Sequence, residues 1–149
     1  MKKILIINGP NLNQLGKREK EYYDSISYDE LIEFTENRVR DLNFDLEWWQ
    51  SNHEGEIVEK IHSIIDSKVD GLLINPAAYS HTSIAILDAL KILKIPIVEV
   101  HLSNVYSRES FRHSLLTAQA SSIIMGGLGK NAYIFGLMAL KEKLEKESL

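Results

Sequence analysis

The sequence predicts an α/β protein, a three-layer α/β/α sandwich around a five-stranded parallel sheet. Short runs rich in β-branched residues, beginning with Ile4-Leu5-Ile6-Ile7, alternate along the chain with segments whose apolar residues recur at helical spacing. The central runs are apolar throughout instead of alternating with polar residues, the pattern of strands covered on both faces. With 149 residues and 44% hydrophobic content, one domain over residues 1–149 can bury its core without covalent staples.

The first strand covers residues 4–7 and stops at Asn8-Gly9-Pro10-Asn11. Met1-Lys2-Lys3 before it resembles the start of a signal peptide, but the apolar run ends far too soon for one. Residues 8–26 show little periodicity, and a loop this long in a small domain is more often functional than idle. Ser27 and Glu30 form an S-x-x-E capping box, opening a helix with Leu31, Phe34, Arg38, Val39 and Leu42 on one stripe. The second strand is 46–50, and Ile57, Val58, Ile61, Ile64 and Ile65 mark the next helix. Residues 71–74 form the third strand, stopped by Asn75-Pro76. Ser80-His81-Thr82-Ser83 leads into a helix carrying Ile86, Leu87, Leu90 and Leu93, and Pro96 opens the fourth strand. A short helical piece around 109–117 precedes a fifth strand at 122–125, and 132–144 is a final amphipathic helix. Right-handed crossovers between parallel strands then imply a flavodoxin-like domain of strand order 2-1-3-4-5. Its ligand belongs beyond the carboxyl ends of the strands, at the switch point between strands 1 and 3.

Composition removes several function classes. The formal charge of −4 argues against a nucleic-acid partner, and no stretch approaches a membrane span. Without cysteine there is no disulfide, thiolate metal site or cysteine nucleophile, and a reducing, cytoplasmic setting is expected. His53, His62, His81, His101 and His113 lack ligand spacing, so no metal is expected. Gly126-Gly127-Leu128-Gly129-Lys130 matches neither a dinucleotide fingerprint nor a P-loop and reads as a turn, so no cofactor is expected either.

The strand ends deliver Asn8 and Asn11, then Ser51-Asn52-His53-Glu54, then Asn75 and His81, then Glu99, His101 and Ser103. Neutral hydrogen-bonding groups of this kind suit a small hydroxylated ligand. Glu99 and His101 project from one face of their strand, where a carboxylate can orient and charge an imidazole as a proton donor. Arg108 and Arg112 follow and supply local positive charge. A phospho-receiver of the same fold needs acidic residues where Asn8 and Asn75 stand.

Four blocks in order resemble the type II 3-dehydroquinate dehydratases: Asn8-Gly9-Pro10-Asn11-Leu12-Asn13 with Leu15-Gly16-Lys17-Arg18-Glu19; Gln50-Ser51-Asn52-His53-Glu54-Gly55; Asn75-Pro76-Ala77-Ala78-Tyr79-Ser80-His81 with Asp88-Ala89; and Glu99-Val100-His101-Leu102-Ser103-Asn104 with Arg108 and Arg112. The resemblance runs from residue 4 to about residue 140. It implies dehydration of 3-dehydroquinate to 3-dehydroshikimate, without metal or cofactor, by a homo-oligomer that is a dodecamer built from trimers. It further implies Tyr23 as base, with Arg18 drawing the phenol down from its ordinary pKa of about 10. Asn11 would hold a water against the enolate oxygen, and His101, oriented by Glu99, would protonate the departing hydroxyl. Asn75, the Leu102 amide and Ser103 would hold the substrate carboxylate. His81 and Arg112 would bind ring hydroxyls, and Asp88 would reach a neighbouring subunit's site. Arg108 receives no direct role.

The lid block departs from the family pattern. Arg18-Glu19-Lys20-Glu21-Tyr22-Tyr23-Asp24 lacks the usual proline and glycine, and counting from Arg18 selects Tyr23 over Tyr22. Ala77 stands where glycine is common, and Ser80 where threonine is common. Taken singly, Arg18 also reads as a solvated charge, Tyr23 as a surface aromatic and Asp88 as a helical residue pairing with Lys91. The alternative to an enzyme is a catalytically silent module that binds a polyhydroxylated acid.

Overall fold

A computed structural model describes residues 1–17 and 25–147. Five parallel strands stand in the order β2-β1-β3-β4-β5: β1 (Lys2–Asn8), β2 (Phe44–Gln50), β3 (Gly71–Asn75), β4 (Ile97–Val100) and β5 (Ile123–Met125). The helices are α1 (Tyr28–Arg38), α2 (Glu54–Ser63), α3 (Ile84–Ile92) and α4 (Ala132–Glu147). The predicted class and strand order are therefore observed.

Strand alternation splits the core into two apolar layers. Ile4, Ile6, Leu73, Val98 and Val100 pack toward α1 and α4 with Leu31, Leu137 and Leu140. Leu5, Ile7, Leu72, Ile74 and Ile97 pack toward α2 and α3 with Ile57, Ile61, Ile86 and Leu90. Because β1 and β3 are buried on both faces, their residues carry no polar alternation, which is the signal read in the sequence.

Local chemistry sets the helix starts. The Ser27 side chain accepts the Glu30 amide at 3.1 Å, and that of Ser83 accepts the Ile86 amide at 2.9 Å. At the other end, α1 is shorter than its apolar stripe suggested. It stops at Arg38, residues 40–42 tighten into a 3-10 turn, and Asn43 leaves through a left-handed conformation at φ 56°. Leu42 still packs against the core, so its apolar signal was real but not α-helical.

The connection from β4 to β5 carries the expected short helical piece as tight turns. No α-helix lies there; the turns are of 3-10 type, Val105–Ser107, Ser110–Arg112 and Thr117–Ala120. Short polar side chains take the backbone bonds that a helix would need. Asn104 Oδ1 accepts the Tyr106 amide at 3.1 Å, and Ser107 Oγ donates to the Asn104 carbonyl at 2.8 Å.

Candidate active site

The carboxyl ends of β1, β3 and β4 open into a crevice. Gly9 donates its amide to the Asn75 carbonyl at 2.8 Å, and Ser51 donates to the Asn8 carbonyl at 3.1 Å, so adjacent strand ends are stitched together. A Cβ at Gly9 would lie 2.4 Å from the Pro76 carbonyl oxygen, which is why the position takes glycine. Asn11 then turns left-handed at φ 70°, a conformation asparagine tolerates, with its amide donating to Asn52 Oδ1 at 3.0 Å.

Seven of the residues proposed from sequence line this one crevice: Asn11, Asn75, His81, His101, Leu102, Ser103 and Arg112. Glu99 lies directly beneath, fully buried, with Oε2 on His101 Nε2 at 2.8 Å. The His101 backbone amide is fixed on the Met125 carbonyl at 2.9 Å. With Nε2 committed to Glu99, Nδ1 is the nitrogen left for a ligand.

His81 sits nearly parallel to His101, ring centres 6.4 Å apart. Its Nδ1 lies 2.9 Å from the Ser114 carbonyl, an acceptor only, so Nδ1 carries the proton and Nε2 is left as an acceptor. Burial holds the His81 pKa below the ordinary imidazole range; the Ser114 carbonyl opposes that, and positive charge from His101 and Arg112 reinforces it.

Asn75 is positioned by a buried polar chain absent from the sequence reading. Its Oδ1 accepts the Ala77 amide at 3.1 Å, while its Nδ2 donates to the Tyr133 hydroxyl at 3.1 Å. Tyr133, wholly buried on α4, donates in turn to Asn8 Oδ1, and Asn8 Nδ2 donates to the Tyr28 hydroxyl at 3.2 Å. Burial drives the Tyr133 pKa far upward and raises that of Tyr28 as well, so both phenols stay protonated.

Two arginines supply charge. Arg112 Nε donates to Glu109 Oε1 at 3.1 Å. The Glu109 carboxyl is held below the ordinary carboxylate range by its own backbone amide and then by Arg112. Arg108, given no direct role from sequence, also lines the crevice with a largely buried side chain and reaches Ser103 Oγ at 3.4 Å. The glycine run after β5 is the turn that was expected, and it has a task. The Gly127 and Gly129 amides take the Ser103 and Leu102 carbonyls at 3.1 and 2.9 Å, which fixes the peptide that lines the crevice.

Asp88 lies exposed on α3, outside its own chain's crevice. Arg18 and Tyr23 fall outside the described residues. Among the described residues no three His, Asp or Glu side chains gather in an arrangement able to hold a metal.

Known proteins resemble this chain over nearly its whole length. Residues 2–141 match the family model for dehydroquinase class II. A 3-dehydroquinate dehydratase of Caldicellulosiruptor bescii is 50% identical over 145 residues, covering 97% of this chain and all of that protein. One from Thermotoga petrophila is 46% identical over 144 residues, covering 97% of this chain and 98% of its own. The crystal structure of a type II dehydroquinase from Butyrivibrio crossotus superposes with a TM-score of 0.89 at 44% identity, covering 93% of this chain and 97% of that one. That from Propionibacterium acnes gives 0.90 at 39% identity, covering 95% and 97%. With nearly its whole length matched and about half its residues shared with full-length relatives, the chain belongs to the class II dehydroquinase family.

Proposed function

We propose that this chain is a lyase that dehydrates 3-dehydroquinate to 3-dehydroshikimate in the shikimate pathway, with residues 1–149 forming one flavodoxin-like catalytic domain. The observation that carries the reading is the buried Glu99–His101 pair opening into a crevice that also holds Asn75, His81 and two arginines. A module that only bound its ligand would have little use for a carboxylate buried at the cost of its hydration.

The reaction follows from what each group can do. Tyr23, as phenolate held by the Arg18 guanidinium, removes the proton at C2, and the electron pair moves onto the C3 carbonyl oxygen as an enolate. Asn11 stabilises that oxygen through a water. The enolate then collapses to form the C1–C2 double bond, and the C1–O bond breaks. The departing oxygen takes the proton from His101 Nδ1 and leaves as water, by anti elimination. Glu99, bonded to Nε2, holds the imidazole in place for that transfer. Asn75 Nδ2, the Leu102 amide and Ser103 bind the carboxylate, His81 Nε2 accepts from a ring hydroxyl, and Arg112 donates to another.

Ile84, Asp88 and Ile92 stand four residues apart on the outer face of α3, and both isoleucines are more than half exposed. An acid flanked by bare apolar side chains supports the trimer reading, in which Asp88 serves a neighbour's crevice. A dodecamer of such trimers and a cytoplasmic setting belong to the same proposal.

The direct test mixes purified protein with 3-dehydroquinate and follows the ultraviolet absorbance of the conjugated enone. Growth of that band is expected; a flat trace at high protein concentration overturns the function.

A further inference from the structure

The segment 114–117 braces both crevice histidines, and one of its side chains breaks a local habit. Four serine hydroxyls of this protein bond back three residues to a carbonyl: Ser63 to Lys60, Ser67 to Ile64, Ser80 to Ala77 and Ser107 to Asn104. The equivalent carbonyl for Thr117 is that of Ser114, and His81 Nδ1 is bonded to it. Thr117 Oγ1 instead donates to Glu99 Oε1 at 2.6 Å, across 18 residues of sequence, with both residues wholly buried. One residue earlier, the Leu116 amide donates to the Ser80 carbonyl at 2.7 Å, pinning the brace beside His81.

Each carboxylate oxygen of Glu99 thus has its own partner, His101 on Oε2 and Thr117 on Oε1. The pair of bonds fixes the plane of the carboxylate and hence the imidazole. It also has an electrostatic effect, because a hydrogen bond donated to a buried carboxylate favours its ionised form. Without that donor, the carboxylate is free to turn about its remaining bond to Nε2, and the His101 ring loses its aim at the departing hydroxyl. We infer that Thr117 is a positioning residue for the elimination, acting through Glu99 to keep His101 aligned. The inference rests on the dehydratase reading above.

The test compares Thr117→Val, which keeps the shape and loses the hydroxyl, with Thr117→Ser, which keeps the hydroxyl. Loss of one hydrogen bond to a charged group should lower kcat about 10- to 100-fold in the valine variant, with KM within a few-fold. Serine should restore most of the rate. Because only departure of water is slowed, the isotope effect of deuterium at C2 should shrink toward one while the solvent isotope effect grows. In a Glu99→Gln background the Thr117→Val change should have no further effect on kcat. Should the valine variant not fold, Thr117→Ala against Thr117→Ser makes the same comparison. An active parent protein in which removing the hydroxyl leaves kcat intact, or raises KM in step with the loss, overturns the role of Thr117. A parent protein without turnover overturns the proposed function, and this inference falls with it.

Discussion

The Tyr133 hydroxyl, 58 residues along the chain from Asn75, receives that side chain's amide at 3.1 Å and so couples the last helix to the end of β3. Tyr133→Phe would leave Asn75 Nδ2 and Asn8 Oδ1 without this partner in a buried site. A loss of about 1–3 kcal/mol in urea denaturation is expected, together with a raised KM as Asn75 loosens at the substrate carboxylate. An unchanged midpoint and KM would mean that the network supports neither fold nor site.

The same phenol makes the fold sensitive to alkali. Burial raises the pKa of Tyr133, so the folded state holds its proton more tightly than the unfolded chain, whose phenols titrate near 10. Its contribution is complete below about pH 10 and is lost as pH rises beyond that. Tyr28 is shifted the same way and adds to the effect. Denaturation midpoints measured from pH 8 to 11 should therefore fall at the alkaline end, and less steeply in Tyr133→Phe.

For His81 the sign is opposite. Its pKa is lowered in the folded state, so neutral imidazole is favoured and stability falls as pH drops below the ordinary value of about 6.5. Protonation would also remove the Nε2 acceptor. KM should rise as pH falls through that lowered folded-state pKa, which lies beneath the ordinary value of about 6.5, and His81→Asn should raise KM at neutral pH while flattening that dependence. A KM independent of pH in the unaltered protein would exclude His81 from binding a substrate hydroxyl.

Ala77 sits at φ 53°. An L-residue in this region is strained by about 1–2 kcal/mol, part of which glycine would return as unfolded-state entropy. Ala77→Gly should raise stability by roughly 0.5–1 kcal/mol without altering kcat. Gly9→Ala should do the reverse, since its Cβ would strike the Pro76 carbonyl carbon at 2.7 Å and its oxygen at 2.4 Å. Parallel urea titrations of the two variants measure both effects.

Tyr22 and Tyr23 can be separated by chemistry alone. Tyr23→Phe should reduce kcat at least a thousandfold, about 4 kcal/mol of barrier, while substrate still binds. Tyr22→Phe should leave kcat within a few-fold, and the opposite ranking would transfer the base to Tyr22.

Much of this architecture was legible in the sequence because it rests on short-range rules. Apolar runs at β1 and β3, the Ser27 cap, and the period-2 placement of Glu99 and His101 each follow from a few adjacent residues. What escaped depends on contacts between distant segments. Tyr133 reads only as one more apolar residue of α4, and Thr117 as the end of a short helical piece, until packing brings each to its partner. Arg108 was underrated because nothing local distinguishes it from a solvated arginine, although its side chain is buried beside Ser103. The short helical piece expected around residues 109–117 takes the form of 3-10 turns at Ser110–Arg112 and Thr117–Ala120, too short to show a helical apolar stripe.

The route from β4 to β5 has a further consequence. An α-helix in that place would have consumed its own amides and carbonyls and presented a single face to the sheet. The chain of tight turns leaves the Ser114 carbonyl and Leu116 amide available as fixtures, and aims Arg108, Arg112 and Thr117 from one short stretch. Its spacing is therefore a calibrated part of the catalyst. Lengthening it by one residue between 108 and 117 would disturb the arginines, His81 and Glu99 together, whereas the same insertion midway along α2 would perturb only packing.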